Sequence, residues 1–428
     1  MSATDFAPSS RIADSRANAR GVRALLPVAV VAVVAAALTV FAVLSTSSTI
    51  YWQVDYLVYR AGGDAVVHGV PLYDMVVHTP AFPTMQFTYT PFAALLFVPL
   101  SLFGTGASGT LWLFLNFLAL GAVIWLALRS VDSLTRRQML LLTVVGMAVA
   151  SRLDPVWSNN QNGQINVLVL LLVLLDFSPV LPKRWRGVAI GLAAGLKLTP
   201  LIFVVYLLFT KRGREAGRAC LAFAGSVALG FVVLPGDAAS YWFGGLFMDS
   251  QRIVSVSDVV INHSVSGLFA RLSHSPLAPT WVLAISAAVA ILGLAGAVWA
   301  HRRGQDRIGL LVAAFTALLV SPVSWPHHFV WIVPALVWLG FAAWRAKRML
   351  PAVVVATAGA FFLNPIYPPL QQAGADGEPV QWTTAGEIIA TLGGYLTITV
   401  VALALLPVWL PRLSRAPEPA EQIADPGR

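Results

Sequence analysis

Charge is scarce in this chain: of 428 residues only 11% are Asp, Glu, Lys or Arg, against about 25% in a typical soluble domain. Such a composition excludes an ordinary soluble fold for the main body. Cysteine is nearly absent, and the lone Cys220 permits no internal disulfide. There is no Walker A loop to cradle nucleotide phosphates. There is no D-x-D pair either; Asp376-Gly377-Glu378 comes nearest and reads first as a turn. His, Cys and acids do not recur at metal-ligand spacing, so no metal and no cofactor are expected. The short alternating segments of an outer-membrane barrel are also missing.

What is present is apolar. Hydrophobic residues make up 57% of the chain, in runs long enough to cross a bilayer. The expected class is an all-α polytopic membrane protein. Candidate spans are 24–44, 110–128, 139–150, 165–178, 219–235, 281–300, 308–320, 329–344, 350–363 and 389–410. The first run is longer than the apolar core of a cleaved leader and reads as a retained span. Residues 91–103 are short for a span, and 187–209 either cross once or go in and out as a broken pair.

Basic residues decide between these. Clusters at 11–23, 129–137, 183–186, 211–218, 302–307, 345–348 and 412–415, with Arg428, hold 23 of the 28 Lys and Arg. All fall on one side if 91–103 does not cross and 187–209 turns back. The expectation is about twelve membrane segments, a single transmembrane domain over 24–410, and two cytoplasmic tails, 1–23 (disordered) and 411–428. The net charge of +9 is then membrane topology and not nucleic-acid binding. Ten of the nineteen acids fall on the other side, as do the long loops 45–90, 236–280 and 364–388. That side lacks nucleotide sugars, so a synthetic reaction there needs a donor delivered by lipid.

Five polar segments interrupt the apolar pattern. The first is YWQVDYLVYRAGGDAVVHGVPLYD, Tyr51 to Asp74. Asp55 and Tyr59 would share a face of a surface helix ending near Gly69 and Pro71. Asp55 reads either as a helix N-cap or as a general base at the water–lipid boundary. Arg60 lies beside it, and Tyr56 and Tyr59 flank it. MQFTYTPFAALLFVPL follows, with Tyr89 before an apolar segment opening at Pro91. The second segment, SRLDPVWSNNQNGQINVLVL, is rich in amides, among them Asn162, Gln164 and Asn166. Amides bind hydroxyls without fixed charge, which suits sugars; a polar turn with a helix cap is the plainer alternative. The third places Lys197 inside an apolar stretch, before Pro200. A cation at membrane depth costs about 2.5–3.5 kcal/mol on insertion scales. It suits a lipid phosphate, or it snorkels or pairs with Asp176. The fourth, SPVSWPHHFVWIVP, sets His327 and His328 beside Trp325 at the outer end of a span. Adjacent histidines on a helix point about 100° apart, so one faces any given site. The fifth, NHSVSGLFARL, carries Asn262 and His263 in an outer loop.

Together these segments resemble glycosyltransferase family 87 of the GT-C class, the polyprenol-phosphate-mannose-dependent mannosyltransferases of actinobacteria. The resemblance rests on D-Y-x-V-Y-x-x-G-G at 55–63, G-V-P-L-Y at 69–73, F-T-Y-T-P-F-A-A-L-L-F-x-P-L at 87–100, G-Q-I-N at 163–166, G-L-A-A-G-L-K-x-x-P at 191–200 and S-W-P-H-H at 324–328. One departure is Thr90-Pro91, where the family pattern would carry Pro-Pro. The resemblance implies a GT-C-like bundle in the cell membrane, with its site on the outer face. It implies a polyprenyl-phosphomannose donor, a phosphatidylinositol mannoside acceptor and an α-1,2 product, with lipomannan branching as an alternative acceptor. Within it Asp55 and one of His327 and His328 are the expected catalytic residues. Arg60 and Lys197 become candidates for the donor phosphate. Tyr56, Tyr59, Tyr89, Asn162, Gln164, Asn166, Asn262, His263 and Trp325 become candidates for the sugars. A flippase or transporter remains the rival class.

Overall fold

The computed structural model describes residues 9–45, 53–79, 84–249, 252, 261–273, 279–347 and 349–363. The expected span 389–410, the loop 364–388 and the tail 411–428 lie outside the described residues. Within them the protein is an all-helical membrane protein. The exception is an antiparallel pair of two-residue strands, β1 (Val76–Val77) and β2 (Met85–Gln86).

The first helix, α1 (Ser9–Ser45), begins inside the segment expected to be a disordered tail. Residues 9–20 carry three alanines and no Gly or Pro, so nothing local stops the helix. Next come α2 (Val54–His68), α3 (Pro91–Ser101), α4 (Thr105–Arg129), α5 (Arg136–Ala150) and α6 (Asp154–Asn162). They are followed by α7 (Asn166–Phe177), α8 (Val188–Leu196), α9 (Leu201–Phe209), α10 (Gly213–Val233) and α11 (Pro235–Trp242). The last are α12 (Val265–Ser273), α13 (Pro279–Arg302), α14 (Asp306–Val320), α15 (Ile332–Ala346) and α16 (Met349–Leu363). Among the described residues five segments are long and apolar enough to cross a bilayer alone: Leu26–Leu44, Thr105–Arg129, Gly213–Val233, Thr280–Arg302 and Pro326–Ala346. Counting α5 and α6 as one span bent by 71° makes six. Other expected spans are helices too short to cross by themselves.

Helix α4 is the hub, packing on α1, α5, α7 and α15. Large apolar side chains of α1, α10 and α13, such as Phe41, Val232 and Leu292, face outward with 62%, 79% and 73% exposure. Water would not tolerate that surface, and lipid does. The helix α2 ends as expected at Gly69, which is left-handed (φ 67°). Gly63 lets α2 touch α3: a side chain there would strike the Phe97 carbonyl.

The stretch 187–209 is a broken pair that turns back. Helix α8 runs beside α10 in the same direction, with Gly187 next to Glu215 and Gly195 next to Ser226. The chain breaks at 197–200, and α9 returns to Lys211, which leads directly into α10. Arg218 donates to the carbonyls of Arg186 (2.7 Å) and Lys183 (3.0 Å), tying the two basic clusters together. Arg307 donates to the Ser130 carbonyl and Arg345 to that of Asp132. The Tyr206 and His301 rings, 6.4 Å apart, join these groups. The basic clusters 129–137, 183–186, 211–218 and 302–307, with Arg345 and Lys347, therefore share one end of the protein, as charge sorting requires.

Candidate active site

At the opposite end four interruptions of helix converge: the start of α2, the α6–α7 turn, the α8–α9 break and a 3₁₀ turn at Pro326–Trp331. Irregular backbone at such depth is tolerated where it is buried in protein or lines a polar site.

Asp55 lies in the first turn of α2 and is not its cap. The N-cap is Gln53, left-handed at φ 40°, whose N–H donates to the Gln161 carbonyl (2.8 Å). A carboxylate in the first turn still gains from the helix dipole, and its side chain is left for other work. Gln164 hydrogen-bonds the Asp55 carboxylate. The Gln164 carbonyl oxygen accepts from the Tyr59 hydroxyl (3.1 Å), the Tyr89 hydroxyl (3.3 Å) and the Asn166 amide (3.3 Å). This orients the amide, because its oxygen faces donors and its NH₂ is left for the acid. Burial pushes the Asp55 carboxyl up to about 6; the Gln164 hydrogen bond and the Lys197 charge oppose a larger rise. Burial also holds the Tyr59 and Tyr89 phenols well above their ordinary value, so both remain hydroxyl donors.

Lys197 caps α8 at the break and reaches the same place. Its Nζ donates to Asn166 Oδ1 (3.0 Å), contacts His328 Nε2 (3.1 Å) and stands 5.9 Å from the Tyr89 ring centre. Asp176 is not its partner: that carboxylate accepts from the Ile190 N–H (2.6 Å) at the start of α8. Among the described residues no ion pair includes Lys197.

Of the two histidines, His328 meets Lys197. Its Nδ1 faces the Trp325 N–H (3.2 Å) while its Nε2 faces Lys197. A neutral imidazole has one acceptor nitrogen, yet both nitrogens face donors. Lys197 and His328 can both donate to one anion placed between them. His327 turns toward α6, with Nδ1 3.4 Å from the Ser158 hydroxyl and Nε2 buried without a partner among the described residues.

The other candidates lie elsewhere. The Tyr56 hydroxyl sits 2.6 Å from Ser108 Oγ and donates to the Thr105 carbonyl (2.9 Å), anchoring α2 on α4. Arg60 donates to the Phe103 carbonyl (3.2 Å), away from the cluster. Asn162 bonds back to the Ser158 carbonyl (2.9 Å) within α6. Asn262 accepts from the Ser324 N–H (3.0 Å), and the His263 N–H donates to the Ser324 carbonyl (2.8 Å). These two position the Trp325–His328 segment from behind.

Thr90, set aside as a departure in the sequence, has a defined role. Its hydroxyl accepts from the Ala93 N–H (3.1 Å), capping α3, and donates to the Gly195 carbonyl (2.5 Å), two residues before Lys197. A Thr before Pro at a helix start is itself a cap signal. Replacing Thr90 by Val, of similar shape, is expected to destabilise the protein by about 0.5–2 kcal/mol, the usual cost of a lost cap. Thermal unfolding in detergent measures this.

The family model described as Glycosyltransferase family 87 matches residues 87–322. That range contains Tyr89, Gln164, Asn166 and Lys197; Asp55 and His328 lie outside it and join them only in space. The chain is 33% identical over 329 residues to the polyprenol-phosphate-mannose-dependent alpha-(1-2)-phosphatidylinositol mannoside mannosyltransferase of Mycobacterium tuberculosis, covering 73% of this chain and 76% of that one. It is 35% identical over 325 residues to the protein of that name from Mycolicibacterium smegmatis, covering 70% and 72%. It is 35% identical over 291 residues to a Mycobacterium tuberculosis alpha-(1-2)-phosphatidylinositol pentamannoside mannosyltransferase, covering 67% and 66%. No solved structure matches. The chain belongs to glycosyltransferase family 87.

Proposed function

We propose that this protein transfers mannose from polyprenyl-phosphomannose to a phosphatidylinositol mannoside, forming an α-1,2 linkage by inversion. The observation that carries the mechanism is the meeting of an oriented acid, Asp55, with a cationic corner, Lys197 and His328, across one amide pair. The acceptor hydroxyl attacks the anomeric carbon of a β-mannosyl phosphate. Its proton passes to Asp55, the bond from anomeric carbon to phosphate oxygen breaks, and polyprenyl phosphate leaves as an anion. A phosphate leaves without protonation, so a second carboxylic acid of the kind glycoside hydrolysis needs is unnecessary. Lys197 and His328 stabilise the charge that develops on the leaving oxygen. Gln164, Asn166, Tyr59 and Tyr89 hold the acid and offer hydroxyl and amide partners to the sugars.

The placement in the cell follows from charge. The end bearing the basic clusters faces the cytoplasm, together with both termini, and the site opens on the outer face of a multi-pass GT-C-type bundle of about twelve segments. A transporter would also use a broken helix and a buried lysine. The test is purified protein in vesicles with labelled polyprenyl-phosphomannose and phosphatidylinositol mannoside. Label in the glycolipid supports transfer; no label, with solute movement across the vesicle, supports the transporter.

A base must be ionised to accept a proton. With the Asp55 carboxyl raised to about 6 by burial, kcat/KM is expected to fall as pH drops through about 6. An acid limb centred near 4, the ordinary value for a carboxylate, would contradict this environment for Asp55.

A further inference from the structure

Two buried amides hold the backbone of Gln164, and the transfer step does not use them. Asn116 sits in the middle of α4 and Asn159 in α6; they are 1% and 0% exposed. Asn159 grips Gln164 from both sides. Its carbonyl accepts from the Gln164 N–H (2.7 Å), and its Nδ2 donates to the Gln164 carbonyl (3.1 Å). The second N–H of that amide goes to Asn116 Oδ1 (3.0 Å); Asn160 Oδ1, at 3.3 Å, is the more distant acceptor. Asn116 Nδ2 in turn donates to the Trp112 carbonyl (3.1 Å), one turn earlier on α4. That bond fixes which way the Asn116 amide faces and presents its oxygen to α6. The Trp112 indole N–H donates to the Gly163 carbonyl (2.7 Å). Two consecutive carbonyls of the α6–α7 turn, those of Gly163 and Gln164, are therefore tied to the hub helix.

Gly163 is left-handed (φ 68°), and a side chain there would strike the Tyr56 Cβ, so the turn lies hard against α2. From this turn the Gln164 side chain reaches Asp55. An amide buried among apolar helices is costly unless it is bonded, and an apolar residue would fill the same space in α4. The orientation of Asn159 carries a further cost, since its Oδ1 has no partner among the described residues. Turning that amide over would set the oxygen against two others, Asn116 Oδ1 and the Gln164 carbonyl. The pair therefore aims a donor at Gln164 at the expense of one unmade bond. A fixed Gln164 backbone fixes the reach of its amide toward the acid.

We propose that Asn116 and Asn159 are positioning residues: by holding the Gly163–Gln164 backbone on α4 they keep the Gln164 amide hydrogen-bonded to Asp55. The proposal rests on the reading of Asp55 as the base of a mannosyl transfer. Asn116→Leu and Asn159→Leu remove the bonds at nearly constant size, and Asn116→Ala serves where Leu is not accommodated. In the full-length protein kcat is expected to fall by about tenfold, the size of one hydrogen bond, with KM for donor and glycolipid unchanged. A merely structural role could give the same loss, so two further readouts decide. The Gln164 bond opposes the rise of the Asp55 carboxyl; once it loosens, the acid limb of kcat/KM moves above about 6. The charged and titratable groups facing Asp55 are Lys197, with His328 beyond it, Tyr89 and Tyr59, and they are the same in every variant. In a Gln164→Leu background, loss of Asn116 is expected to cost nothing further. An acid limb that stays at the parental value, or a double variant whose losses simply multiply, overturns the proposal. Failure of all three variants to fold makes the pair structural and overturns it too. Thermal unfolding against pH reads Asp55 without any transfer. The gain in stability on acidification sets in at a higher pH in the Asn116 and Asn159 variants, because the folded carboxyl holds its proton more tightly. If that shift occurs while no mannose is ever transferred, the positioning stands and the mannosyltransferase reading falls.

Discussion

Asp55→Asn protein is expected to lose transfer activity by about 10²–10⁴-fold, the usual contribution of a positioned general base. It is expected to fold as well as the parent. Asn keeps the size of Asp and can still accept a hydrogen bond from Gln164, which the parent acid receives. It cannot take a proton from the attacking hydroxyl. Burial disfavours the ionised acid here, so the neutral replacement relieves an electrostatic cost of folding. The sign follows from the raised carboxyl: the folded state binds the proton more tightly than the unfolded chain. Stability of the parent therefore grows as pH falls through about 6 toward the ordinary value near 4. The Asn variant should lack that pH dependence and unfold at an equal or higher temperature at pH 7. Site residues that oppose stability mark functional strain. An Asn variant that transfers mannose at the parental rate would remove Asp55 from the chemistry. One that fails to fold would mean that Asp55 is structural.

Lys197→Met should be the second large effect, about 10²–10³-fold in kcat, as for loss of one preorganised charge stabiliser. No salt bridge among the described residues includes Lys197; its direct contacts are Asn166 and His328, and Asp55 acts on it through its charge alone. A buried cation without a close ion pair contributes little to a fold, so Met should leave stability near that of the parent. The split between constants is diagnostic. If Lys197 acts on the leaving phosphate as the bond breaks, kcat falls with kcat/KM. If it only holds the donor, KM for the donor rises and kcat stays. Lys197→Arg should rescue little, because a planar fork cannot occupy the compact corner between Asn166 Oδ1 and His328 Nε2, 3.0 and 3.1 Å from the ammonium.

How far these positions could be read from sequence depends on the kind of signal. Lys197 stood out because a charge inside an apolar run is costly wherever the run lies. The four-residue spacing of Asp55 and Tyr59 placed both on one face of α2, and both meet Gln164. The amide segment and the His pair were visible as polar breaks. Arg60 and Tyr56 sat in the same segment with equal claim, yet they point elsewhere. Helical phase separates them from Asp55, and their partners, Phe103 and Ser108, are more than forty residues away in the chain. Thr90 carried a readable cap signal, but its bond to Gly195 spans 105 positions and has no local trace.

The sequence by itself determined the solvent of the protein and the gathering of its basic residues at one end. Apolar runs demand lipid, and basic residues sort to one end because moving them through the bilayer is costly. Those are properties of residue type and order, and the clustering of Arg186 with Arg218, and of Ser130 with Arg307, follows them. The tertiary structure alone decided which polar residues form the site. It made Gln53 and not Asp55 the helix cap, turned His328 and not His327 toward Lys197, and folded 187–209 back on itself. Each of these choices is a contact between segments far apart in the chain, fixed by packing around α4 and by close helix approaches. Local periodicity cannot encode them.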